Sequence, residues 1–113
     1  MHELSIVLNI LEIAEHQLKE HAGNKVDAIE LEIGTMAGIE MDAFHFAWDA
    51  ALPGSVLERC KLTIHSVDAK ALCSECGYMY RMLEHYMACP ACGSFRNSMI
   101  QGKELKVNSL EII

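Results

Sequence analysis

Apolar residues return at three- and four-residue steps from Leu4 to about Lys19, at Leu4, Val7, Leu8, Leu11, Ala14 and Leu18. Ser5, Asn9, Glu12 and His16 mark the opposite side, so the spacing predicts a helix with one face on a core. Glu3 sits where a carboxylate favours the helix dipole, and Gly23-Asn24 predicts the stop, since both residues tolerate left-handed backbone. The period then changes from about 3.6 to 2: Ile29, Leu31 and Ile33 alternate with Glu30 and Glu32 and close on Gly34, a strand with one wet face. After a Met- and Gly-rich loop from Met36 to Met41, a second helix starts near Glu40 to Asp42. It buries Phe44, Ala47, Trp48 and Ala51 and stops at Pro53-Gly54. Lys61 to Val67, with Leu62 and Ile64 turned to the sheet, and Leu105 to Ile112 predict two further strands that could pair as neighbours.

Between those strands lie Cys73-Ser74-Glu75-Cys76-Gly77 and Cys89-Pro90-Ala91-Cys92-Gly93, two matched knuckles with twelve residues between Cys76 and Cys89. Each C-x-x-C turn can present both sulfurs to one point, so four thiolates converge on a tetrahedral ion. Zn²⁺ is the first choice; iron in a rubredoxin-like S₄ site suits the same geometry, and disulfides or a redox dithiol are the lesser readings. The Gly after each second Cys supplies the positive φ that such a turn needs, and Tyr78, Tyr80 and Phe95 are expected to cover the sulfurs. The expected fold is therefore α+β: a small three-stranded sheet flanked by two helices, with an inserted zinc-ribbon-like lobe bearing the knuckles. Residues 1–70 plus 103–113 are expected to form the main domain and 71–102 the lobe.

Composition narrows the partners. With 113 residues and 51% hydrophobic content the chain can bury one modest core. A net charge of −7 disfavours a nucleic-acid grip, because neutralising phosphates takes a basic face, although a zinc-ribbon module acting on nucleic acid or a transcription complex is the alternative that the knuckles allow. No stretch approaches eighteen uninterrupted apolar residues, so no membrane span is expected. Reduced cysteines and the absence of an export-like segment point to the cytoplasm. Cys60 reads as a buried small hydrophobe rather than a nucleophile, and His16, His21, His45 and His65 as residues of polar faces or element edges.

The start of the chain offers separate chemistry. With a free α-amine, the Met1 nitrogen, the His2 backbone nitrogen and the His2 imidazole can close adjacent chelate rings in one plane, an arrangement that suits Ni²⁺ or Cu²⁺ better than zinc. The plain alternative is a terminus whose His and Glu merely precede the first helix.

Together, Met1-His2-Glu3-Leu4-Ser5, the Glu32-Ile33-Gly34 strand end, the Gly54-Ser55-Val56 run, the two knuckles and the final Ser109-Leu110-Glu111 strand resemble the HypA/HybF hydrogenase nickel-incorporation proteins. The resemblance covers essentially the whole chain. It implies a non-enzymatic metallochaperone that carries Ni²⁺ at His2 during [NiFe]-hydrogenase maturation, and in some members for urease. It also implies a structural Zn²⁺ on Cys73, Cys76, Cys89 and Cys92, a tuning role for Glu3, and an acidic residue near the second helix that matches Glu40, with Asp42 beside it. The implied partners are the accessory GTPase HypB, the precursor of the [NiFe]-hydrogenase large subunit and, for members serving urease, the urease accessory proteins. Some members carry a His directly after a knuckle; this chain has Gly77 and Gly93 there, and His85 is the nearest candidate for an exchanging ligand.

Overall fold

The structure, a computed structural model, describes residues 3–113. Its elements run α1 (Glu3–Glu20), β1 (Val26–Gly34), α2 (Met41–Ala51), β2 (Lys61–Val67), β3 (Lys70–Cys73), β4 (Met79–Arg81), β5 (Asn97–Gln101) and β6 (Leu105–Ile112). The strands form two sheets, ordered β2-β1-β6 and β4-β3-β5. The α+β expectation holds, with two departures. β2 and β6 are not neighbours, because β1 lies between them. The lobe also contains a three-stranded sheet of its own, whose strands of three to five residues are too short to leave a periodic signal.

The chain divides into two compact units. The first takes the residues up to Leu31, Ile39–Ile64 and Val107–Ile113; the second takes Glu32–Gly38 and His65–Lys106. In the first unit α1 packs against α2. Ile6, Val7, Ile10, Ala14 and Leu18 of α1 are buried, as are Phe44, Ala47 and Trp48 of α2 and Ile29 and Leu31 of β1. Burying each large side chain contributes roughly 1.5–3 kcal/mol, so the helices owe their stability to this shared core more than to propensity. The buried face of α1 is partly the one expected: Val7, Ala14 and Leu18 are buried, but Leu4 and Leu8 are 51% and 48% exposed, whereas Ile6 and Ile10 are buried. Apolar residues almost encircle the first three turns, so periodicity alone could not choose between the two faces.

Helix α1 ends differently from the expected glycine stop. Ala22 takes the left-handed conformation with φ +51°. The His21 N–H donates to the Gln17 carbonyl and the Gly23 N–H to that of Leu18, closing the end of the helix. Gly23 is required for space instead, since a Cβ there would run into the Ile112 side chain. A non-glycine residue in this region costs about 1 kcal/mol. Ala22→Gly is therefore expected to raise the melting temperature by a few degrees in a thermal scan monitored by circular dichroism.

In the second unit the buried residues are Met36, Ala69, Ala71, Cys73, Tyr80, Met82 and Cys89, with Met87 and Met99 packed against them. Flexible thioethers fill the irregular space that two metal turns and three short strands leave. Ala69 and Gly102 meet at the neck of the lobe. The Ala69 N–H donates to Thr35 Oγ1 at 3.0 Å, the Met36 N–H to the Gly102 carbonyl at 2.7 Å, and Gln101 Nε2 to the Asp68 carbonyl at 2.8 Å. A Cβ on Gly102 would collide with Ala69, and its φ of +123° excludes other residues independently.

Candidate metal centre

The two knuckles repeat one hydrogen-bond pattern. The Cys73 N–H donates to the Tyr78 carbonyl at 2.9 Å and the Gly77 N–H to the Cys73 carbonyl at 3.0 Å. In the second knuckle the Cys89 N–H donates to Ser94 and the Gly93 N–H to Cys89, both at 2.8 Å. Gly77 and Gly93 adopt φ +76° and +78°, and a Cβ on either would meet nothing, so backbone conformation rather than space demands glycine. The Ser74 N–H reaches the Arg96 carbonyl at 2.9 Å and ties the knuckles together.

All four sulfurs lie within 4.8 Å of one another. Cys73 and Cys92 approach to 3.6 Å, and Cys76 and Cys89 to 3.7 Å. Bonds of about 2.3 Å to a tetrahedral ion set sulfurs roughly 3.8 Å apart, so the cage is of the size that Zn²⁺ takes. Cys73 and Cys89 are buried and Cys76 and Cys92 exposed, which leaves one side of the cage toward solvent. The Cys76 N–H aimed at Cys73 sulfur is the largest of the effects that pull its thiol down to about 7. At Cys92 the Ser94 N–H pulls downward, but the Cys73 sulfur, desolvation and the other two sulfurs outweigh it and push the thiol up to about 12. Four thiolates this close repel each other unless a cation neutralises them, which is what a divalent ion supplies.

Of the aromatic residues expected over the sulfurs only Tyr80 is buried; Tyr78 and Phe95 are 50% and 67% exposed. Tyr80 stands on the inner face of β4 opposite Ala71, and its hydroxyl donates to the Met87 carbonyl at 3.3 Å and accepts from Asn97 Nδ2 at 2.7 Å. Cys60 is half-buried with its thiol pushed up by desolvation, and His85 is exposed.

A second polar cluster forms where α2 begins. Glu40 caps α2, accepting the Asp42 N–H at 3.2 Å and the Ala43 N–H at 2.7 Å. Its own N–H donates to Glu3 Oε2 at 3.2 Å. The first residue of α1 thus satisfies the cap of α2, and both carboxylates sit at the positive end of the α2 dipole. Asp42 follows in the first turn. Sequence proximity gave no hint that Glu3 and Glu40, 37 residues apart, would be joined. His2 lies outside the described residues. Glu40→Ala is expected to destabilise the protein by about 1 kcal/mol, read as a lower midpoint in urea unfolding.

A two-helix α+β framework with four converging cysteines defines a metal-binding protein whose sulfur cage holds a lobe together. The family model described as "Hydrogenase/urease nickel incorporation, metallochaperone, hypA" matches residues 1–112. The chain is 38% identical over 112 residues to the hydrogenase maturation factor HypA of Parabacteroides distasonis, covering 99% of this chain and 97% of that protein. It is 36% identical over 111 residues to the hydrogenase maturation factor HybF of Klebsiella pneumoniae, covering 98% of each. The solution structure of the Ni metallochaperone HypA from Helicobacter pylori matches 100% of this chain and 98% of its own with a TM-score of 0.70 at 24% identity, a likeness of fold. This chain belongs to the HypA/HybF family.

Proposed function

We propose that this protein is a non-enzymatic nickel carrier that acts in the maturation of [NiFe]-hydrogenase and, where the host makes it, of urease. The match of the nickel-incorporation family over residues 1–112 is the observation that carries this reading. Residues 1–70 plus 103–113 are the nickel-binding domain, and the cysteine lobe, 71–102, is its structural companion.

The cargo ion takes the His2 imidazole together with the backbone nitrogens around it. Nitrogen donors in a plane favour Ni²⁺ over the hard cations and leave zinc to the sulfurs. Glu3 and Glu40 lie together at the start of α2. The two carboxylates supply negative charge beside the cargo. Cys73, Cys76, Cys89 and Cys92 hold the resident Zn²⁺, which supplies folding energy and no reaction. The partners that fit are the accessory GTPase HypB, the hydrogenase large-subunit precursor and, for urease, its accessory proteins, all met in the cytoplasm. No helix of the described residues is long and apolar enough to cross a membrane.

A carrier must also release its ion, which favours affinity near the micromolar range, about −8 kcal/mol. Calorimetric titration of Ni²⁺ into untagged, zinc-loaded protein is expected to show about one equivalent bound with zinc retained. Absence of binding, or displacement of zinc by nickel, would overturn the reading.

A further inference from the structure

The sheet of the second unit has one buried and one open face. Across β3 and β4, Ala71 pairs with Tyr80 on the buried side, while Lys70 pairs with Arg81 and Leu72 with Met79 on the other. Leu72 and Met79 are 40% and 53% exposed, and Ile100, the extra residue of the bulge between β3 and β5, is 51% exposed. Two cations therefore stand directly opposite one another beside an uncovered apolar pair. Like charges at such positions destabilise a sheet, and only Arg81 has a carboxylate partner, Asp68 at 3.3 Å. Among the described residues Lys70 has none.

This arrangement departs from the charge of the rest of the chain. The whole net charge of −7 belongs to the first unit, and the second balances five acidic against five basic side chains. Like-charge pairing on a face that also exposes its apolar neighbours is relieved by an anionic partner that covers both. Same-face pairs along a strand are about 7 Å apart. A matching partner therefore carries a carboxylate about that far from an apolar side chain, the spacing of residues two apart in an extended segment. Asp68 and Glu75, on or beside the sheet, work against a nucleic-acid backbone, which brings unbroken negative charge.

We propose that the open face of β3 and β4 is a docking site for an acidic, apolar-anchored segment of another protein, with Leu72 and Met79 as the anchor and Lys70 and Arg81 as the charge contacts. The proposal does not depend on the protein's carrying nickel.

The test uses the full, zinc-loaded chain and a fluorescein-labelled nonapeptide in which glutamate and leucine take turns at every second position with serine between them, so that both lie on one face of the extended peptide, alongside its glutamine counterpart. Anisotropy should show salt-sensitive binding of the glutamate peptide and at least tenfold weaker binding of the glutamine one. Amide shifts in nuclear magnetic resonance should centre on residues 70, 72, 79 and 81. Lys70→Glu with Arg81→Glu should weaken binding at least tenfold; should that variant lose its zinc, the single changes Lys70→Gln and Leu72→Ser carry the same test. Equal affinity for both peptides, unchanged affinity in the variants, or competition by poly(U) at the same amides would overturn the proposal. So would concentration-dependent dimerisation lost in the same variants, since the face would then be taken by the acidic unit of a second copy.

Discussion

His2→Ala is expected to remove specific nickel binding, weakening it at least ~100-fold, about 2.7 kcal/mol, while one equivalent of zinc remains. The imidazole is the only side-chain nitrogen within the first residues, and its loss leaves main-chain nitrogens that must shed protons to bind. Among the described residues the four cysteines form the single group of three or more His, Cys, Asp or Glu side chains in reach of one another, so no second cluster of such side chains stands ready to replace it. A short extension before Met1 should have the same effect, because it turns the α-amine into an amide. Calorimetry with Ni²⁺ and metal analysis on the same samples separate the two sites. Full nickel stoichiometry in His2→Ala would place the cargo elsewhere.

The second large effect is expected at the cage. Cys73→Ser should lower zinc to well below one equivalent and unfold the second unit. Structural zinc in small sites is worth roughly 10–16 kcal/mol in apparent binding energy, at least as much as the whole stability of an ordinary domain. Cys73 is the sharper choice over Cys76 because it is buried at the end of β3 and its backbone closes the first knuckle, so both the strand and the turn lose their anchor. The measurement is metal content together with amide dispersion. Signals from His65–Lys106 should collapse toward random-coil positions while the α1 and α2 signals persist. A dispersed, metal-free spectrum would show that the sulfur cage is not what folds this unit.

How much of this was legible beforehand depended on the range of the interaction. The two helices and β1 announced themselves by their period, and β2 and β6 as runs of seven and eight residues rich in apolar and β-branched side chains. The knuckles did so because metal-ligand spacing is a local chemical requirement. The buried face of α1 was misread at Leu4 and Leu8, since a helix that is apolar on most sides is oriented by what it packs against. The strands β3, β4 and β5 were missed for want of length, and Tyr78 and Phe95 were placed over the sulfurs by proximity in sequence, whereas strand alternation selects Tyr80. The left-handed residue at the end of α1 was assigned to the glycine, yet Ala22 adopts it and Gly23 answers a steric need at Ile112. The hydrogen bond from Glu40 to Glu3 is a long-range event with no local signature at all.

The pinched neck at Ala69 and Gly102 has a bearing on how this architecture can vary over generations. Doubling the length of a flexible loop costs only about 0.6 kcal/mol of closure entropy. Insertions in the exposed turn at residues 83–86 are thus cheap, whereas a single methyl group at position 102 is not. Relatives of this chain should differ in the length of the turn at residues 83–86 far more readily than in the glycine at position 102.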